Sequence, residues 1–361
     1  MSWPDWLPLR ENLRSLSPYG APQVPAQAFL NTNENPYPLS AELQKAITQT
    51  VSKVAAQLNR YPDRDAENLR TKLASYINGL SKTGFTFNNT WVANGSNEVI
   101  QSIFLAFGQR AALGFTPSYS MHALIARVSN TPWIDGTRNS DFSLNTQDAI
   151  AQVQQHKPTL TFITTPNNPT GGAIAIAEIA KIADAVKDVG GLLIIDEAYA
   201  EFSDMVSAVT LVSKNPHVVV IRTMSKAFAF AGARVGYLVA DPKVVDAMMI
   251  VRLPYHLSTI TQAVAEVALD FKEELLAGVG TLIRSRDLMV SALASLGLTT
   301  VESEANFILF TGFPQDAKQL WSDLLKKGVL IRDVGLSDHL RVTIGNEAEN
   351  TLFINALKEL I

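Results

Sequence analysis

The chain has 361 residues, 47% hydrophobic and 18% charged, with 34 acidic against 30 basic side chains and a formal net charge of −4. That balance leaves no electrostatic footprint for nucleic acid, and the lack of cysteine excludes disulfides, thiolate metal sites and cysteine nucleophiles. No stretch approaches the roughly 18 uninterrupted apolar residues of a membrane span. Pro4, Asp5, Pro8 and Arg10 interrupt the start before a secretory apolar core could form. A cytoplasmic protein with no membrane or nucleic-acid partner is the expectation.

In chain order, residues 1–30 are rich in Pro, Gly and Ala, show no sustained period and predict an irregular arm that packs onto the C-terminal part. Short β-rich runs then alternate with helical patterns, the signature of a mostly parallel sheet flanked by helices, an α/β fold. The clearest unit begins with TLTFITT (159–165) as a buried strand and NNPTGG as a loop. A helix over Ala177–Val189 follows, with Ile179, Ile182, Ala183 and Val186 on one face. Gly190 and Gly191 stop it, and LLII forms the next strand, ending at Asp196. This order is a βαβ crossover.

VVVIRT (218–223) and RVGYLVA (234–240) predict two more strands, and Pro254 breaks the pattern within MIVRLPYHLST (249–259). Beyond it the chain predicts a long helix over 261–294, a strand at NFILF, a helix over 315–327 and strands at VLIR and LRVTI. The expected division is a large domain over 31–250, with 1–30 and 251–361 forming the arm and a smaller α+β domain.

In open α/β sheets, ligands sit beyond the carboxyl ends of the strands. Asp196, Thr223, Ser225, Lys226, Asn167 and Asn168 all fall there. Singly, each has a plainer reading: Asp196 as a helix cap, Lys226 as a solvated loop lysine. Together they say more. The segment TMSKAFAFAGARVGY (223–237) resembles the lysine segment of fold-type I pyridoxal-phosphate aminotransferases, with Lys226 and Arg234 eight positions apart and Gly-Tyr after. Ala233 stands where that family more often has Leu or Met. Asp196 and Tyr199 in DEAY, Asn168-Pro169 in NNPTG, Gly95-Ser96-Asn97-Glu98 and Tyr119 in TPSYS resemble further family segments, in the family's order.

The resemblance implies pyridoxal 5′-phosphate bound covalently to Lys226, whose amine burial and the cofactor would make nucleophilic. Asp196 would face the pyridine nitrogen, Tyr199 and Asn168 the phenolic oxygen, and Tyr119 would stack on the ring. Ser96 and Asn97 at a helix start, with Thr223, Ser225 and Arg234, would hold the phosphate.

LNTNENPY (30–37), NRYPDRDAENLR (59–70) and IRDVG with LRVTIG (331–345) are similar to the histidinol-phosphate aminotransferase family. That resemblance implies transamination between histidinol phosphate and 2-oxoglutarate, giving imidazole-acetol phosphate and glutamate. Arg332 and Arg341 would grip the substrate anion, with Asn168 and Tyr19 in the same pocket. Tyr61 would reach the cofactor phosphate of a neighbouring subunit, which implies a homodimer with shared sites.

An aromatic amino-acid aminotransferase, a phosphothreonine decarboxylase and a non-enzymatic cofactor-binding regulator remain alternatives, although about 30 residues before the core leave little room for the regulator's usual DNA-binding domain. Five scattered histidines show no metal spacing and no HExxH, so no metal is expected, and His122 reads as a packing residue.

Overall fold

The computed structural model describes residues 3–361. Strand β1 (Ala28–Phe29) ends the arm. The central sheet follows from β2 (Thr90–Ala93), β3 (Ala112–Thr116), β4 (Trp133–Thr137), β5 (Leu160–Thr164), β6 (Leu192–Asp196), β7 (Val218–Thr223) and β8 (Gly236–Val239). Its order is β2-β8-β7-β6-β5-β3-β4, and β8 alone runs against its neighbours. Strands covered on both faces read as near-continuous apolar runs. β6 and β7 show why: Leu193, Ile195, Val218 and Val220 enter one core, while Ile194, Val219 and Ile221 enter the other.

The β5–β6 crossover helix spans Ile176–Asp188 and buries Ile179, Ile182, Ala183 and Val186. It closes as expected. Gly190 takes φ +68° and donates to the Lys187 carbonyl, and the Gly191 N–H donates to that of Val186.

A second, antiparallel sheet of order β12-β13-β10-β9 forms from β9 (Thr299–Thr300), β10 (Phe307–Thr311), β12 (Arg332–Asp333) and β13 (Leu340–Thr343), with β11 (Val329–Leu330) lying between β10 and β12 in the chain. β11 pairs instead with β1 in parallel, so the arm is stitched to the C-terminal part. The arm also touches the other side of the molecule, since Arg10 and Asn12 donate to the carbonyls of Val128 and Arg127. Among the described residues no helix is long and apolar enough to cross a membrane.

Three expectations need correction. The arm is not wholly irregular: it holds one helical turn, Glu11–Arg14, as well as β1. VLIR is two strands in two sheets, because the Ile331 carbonyl accepts from the Trp321 indole at 2.8 Å instead of continuing a ladder. The long helix is two, Thr259–Asp270 and Lys272–Ser295, parted at Phe271 (φ −100°, ψ 16°). Neither Gly nor Pro marks that break; Phe271 turns its ring onto the core.

Candidate active site

A cavity of about 630 Å³ opens beyond the carboxyl ends of the parallel strands, between the two sheets. Lys226 lies three residues past β7, and its amine donates to the Thr32 carbonyl at 2.8 Å. Burial, and then the Arg341 guanidinium, bring its pKa down to about 8; Glu34 opposes the shift and Arg234 adds to it.

Asp196 ends β6 and is 2% exposed. Its Oδ2 lies 3.1 Å from His122 Nε2, and its Oδ1 accepts the Ala198 N–H at 3.1 Å. His122 does pack, tilted over Phe162 at 4.9 Å, but it also reaches Asp196, a site role that the sequence reading ranked below packing. The available signal was its place three residues beyond Tyr119 on the helix Ser120–Val128. The Tyr119 ring stands edge-on to His122, and its hydroxyl donates to Asn97 Oδ1 at 3.1 Å. Burial pushes the Tyr119 phenol above its ordinary pKa.

Tyr199 is buried, which also raises its phenol pKa, and its hydroxyl accepts from Asn33 Nδ2 at 2.8 Å. Asn33, φ +55°, was missed; its Oδ1 accepts the Thr343 hydroxyl at 2.9 Å, so β13 helps to aim Tyr199.

At the other end of the cavity the helix Ser96–Phe107 starts from Gly95, φ +86°. Its first N–H groups, Ser96 and Asn97 among them, have no partner within the helix, an arrangement that favours a negative charge there. The Thr223 hydroxyl lies 3.0 Å from that of Ser225 and donates to the Val235 carbonyl at 3.1 Å. Arg234, φ +58°, packs its guanidinium on Gly95, where a Cβ would sit 2.5 Å from Nη2. A Cβ at Gly236 would stand 2.2 Å from the Ser96 nitrogen and 2.3 Å from the Gly95 carbonyl carbon. Both are backbone and cannot swing aside. Gly236→Ala should therefore cost about 1–3 kcal/mol of stability and weaken anion binding at the helix start, measured by thermal unfolding with and without inorganic phosphate.

The small sheet supplies the third wall. Arg341 on β13 donates to Asn168 Oδ1 at 2.5 Å and to the Asn31 carbonyl at 2.7 Å, with its guanidinium carbon 5.1 Å from the Phe307 ring centre. Its Nε is buried without a partner among the described residues. Burial lowers its pKa to about 10, which leaves it charged at neutral pH. Arg332 sits opposite it across β12–β13 and donates to the Tyr19 hydroxyl at 3.3 Å.

Asn167 departs from its expected place, and Tyr61, expected at a second copy's site, lies outside this one. Asn167 is fully buried and holds its own turn through Ser118, Pro117 and Thr170 instead of lining the cavity. Tyr61 is 80% exposed and stacks on Tyr255 at 4.6 Å, outside this cavity.

The profile of the family described as aminotransferase class I and II matches residues 27–357. The histidinol-phosphate aminotransferase of Nocardia farcinica is 50% identical over 359 residues, 99% of this chain and 92% of its own. That of Thermobifida fusca is 50% identical over 357 residues, 98% and 95% of the two chains. Among solved structures, the histidinol-phosphate aminotransferase of Sinorhizobium meliloti in complex with pyridoxal-5′-phosphate superposes with a TM-score of 0.85 at 22% identity, over 98% of this chain and 97% of that one. At that identity the likeness carries the fold alone. Half identity over nearly the whole length carries more: the chain belongs to the class I and II aminotransferases, among the histidinol-phosphate aminotransferases.

Proposed function

We propose that the protein transfers an amino group between histidinol phosphate and 2-oxoglutarate, the pair interconverting with imidazole-acetol phosphate and glutamate in histidine biosynthesis, and that pyridoxal 5′-phosphate is its cofactor. One observation carries the substrate reading: Arg332 and Arg341, adjacent across β12–β13, both line the cavity that holds Lys226. Paired guanidinium forks suit a phosphate in one half-reaction and a carboxylate of glutamate in the other.

The residues present fit the cofactor. A partly neutral amine at Lys226 matches its aldehyde, and the Tyr119 ring matches a flat heterocycle. The carboxylate of Asp196 matches a protonated ring nitrogen. The helix start at Ser96 and Asn97, with Thr223, Ser225 and Arg234, matches a dianionic phosphate. When bound, the cofactor supplies an electron sink for charge that develops at the substrate Cα.

The chain's own groups do the rest. Asp196, held by His122 and the Ala198 N–H, keeps a proton on the ring nitrogen. Tyr199 and Asn168 offer hydrogen bonds to the ring's phenolic oxygen. Lys226 Nζ, as a neutral amine, would be the base that takes the proton from the substrate Cα and returns it during the transfer. Because Arg341 already bonds Asn168, the group that grips the substrate anion also steadies a group beside the ring.

Lys226 reacts only as the neutral amine. With its pKa brought down to about 8, capture of pyridoxal phosphate by cofactor-free protein should speed up as pH rises through about 8 and level off above it. An unperturbed lysine would keep gaining to about 10.4. Stopped-flow absorbance from pH 6 to 10 distinguishes the two.

The reading includes a cytoplasmic homodimer in which Tyr61 reaches the phosphate site of a second copy. Supporting it, Leu58, Tyr61, Ile250 and Leu253 are 51–82% exposed on two segments tied together by Arg252, which bonds the Arg64 carbonyl and Asp65. It also takes 31–250 as the cofactor-binding domain and 1–30 with 251–361 as the arm and small domain.

Steady-state rates with glutamate as donor test the substrate. Imidazole-acetol phosphate should exceed phenylpyruvate in kcat/KM by about a hundredfold, the worth of one or two charge-assisted hydrogen bonds. Equal or better use of phenylpyruvate would make the protein an aromatic aminotransferase.

A further inference from the structure

Arg222 precedes Thr223 on β7 but lines no part of the active-site cavity. Strand alternation sends Asp196 and Thr223 to the cavity face and Glu197 and Arg222 to the opposite one. There Arg222 Nη2 lies 2.8 Å from Glu197 Oε2 and Nη1 lies 2.9 Å from Glu201 Oε1, with all three side chains no more than 5% exposed. Glu197 also accepts the Ser207 hydroxyl at 2.7 Å and the Ala208 N–H at 2.6 Å. Glu201 accepts the Tyr76 hydroxyl at 3.2 Å.

These contacts surround one short turn. Residues 197 and 201 are its two ends, and Tyr199 is its middle, pointing back into the cavity. Inside the turn the Ala200 N–H donates to the Glu197 carbonyl, and the Phe202 N–H donates to that of Tyr199. One guanidinium thus grips both ends of the segment that carries Tyr199, beside Asp196 at its start. Its own strand leads directly into Thr223, Ser225 and Lys226. Two carboxylates on one cation are more than charge balance requires, and a lone buried pair would serve packing equally well. The second carboxylate has a geometric use: it fastens the far end of the turn.

We propose that Arg222 is a positioning residue for the transamination site, setting from behind the sheet the placement of Tyr199 and Asp196 relative to Lys226. The proposal rests on the cofactor reading above. Glu201→Ala tests it in the cofactor-loaded protein, because it leaves Arg222 and Glu197 as a balanced pair with no buried charge stranded. The pH midpoint of the cofactor's visible band should move by about half a unit or more, since the hydrogen bond from Tyr199 to the ring oxygen is displaced. With it, kcat should fall about tenfold while KM changes little, as expected for a misplacement of under 1 Å.

Glu201→Gln should restore both, because its amide oxygen still accepts from Arg222 and Tyr76. An unchanged band midpoint and kcat in loaded Glu201→Ala, whatever its unfolding temperature, would overturn the proposal. Should that variant fail to fold, Arg222→Lys is read in the same way: its single ammonium spans one carboxylate, so a shifted midpoint supports the proposal and an unshifted one overturns it. Unsubstituted protein that shows no visible band with pyridoxal phosphate would instead sink the cofactor reading itself.

Discussion

Lys226→Ala is expected to lower transamination by about 10⁴-fold or more, because it would remove both the proposed covalent anchor and the proposed base for the Cα proton. The fold should barely notice. The amine makes one hydrogen bond, to the Thr32 carbonyl, and burial already disfavours its charged form. Loss of such a bond costs about 1 kcal/mol. Turnover, cofactor retention through gel filtration and thermal unfolding, measured on one preparation, separate chemistry from stability. A variant that kept a tenth of the rate would remove Lys226 from the mechanism.

The second large effect is expected at Arg341. Its guanidinium spans Asn168 Oδ1 and the Asn31 carbonyl, and it would also grip the substrate anion. Arg341→Met deletes all three at once. Losing charge-assisted bonds at about 1.5–3 kcal/mol each should lower kcat/KM for histidinol phosphate by about 10²-fold or more. Arg341→Lys should recover little, since one ammonium cannot serve two fixed acceptors and the substrate phosphate together. Steady-state kinetics of both variants check this, and full activity in Arg341→Lys would show that only the charge matters.

Much of the large sheet was legible because β5, β6 and β7 are short apolar runs bounded by turn residues, a pattern with few other readings. Most of the side chains that line the cavity were legible through segments that resemble the family: Lys226 with Arg234, Asp196 with Tyr199, and Ser96 with Asn97. What escaped was set by contacts between distant segments. His122 meets Asp196 across 74 residues, and Asn33 meets Tyr199 across 166, so their neighbours in the chain do not name those partners. The helix break at Phe271 and the strand switch at Ile331 escaped for a related reason: core packing and a Trp321 hydrogen bond decide them, with no Gly or Pro to mark the place. Tyr61 is legible only through resemblance, because its proposed task lies on another copy of the chain.

The central claim is tested most directly by loading the purified protein with pyridoxal phosphate, adding histidinol phosphate without any keto acid, and recording the visible absorption spectrum. The account predicts loss of the cofactor's visible band, one equivalent per subunit, and its return on adding 2-oxoglutarate. A band that histidinol phosphate leaves untouched, or that never forms because Lys226 does not take up the cofactor, would contradict it.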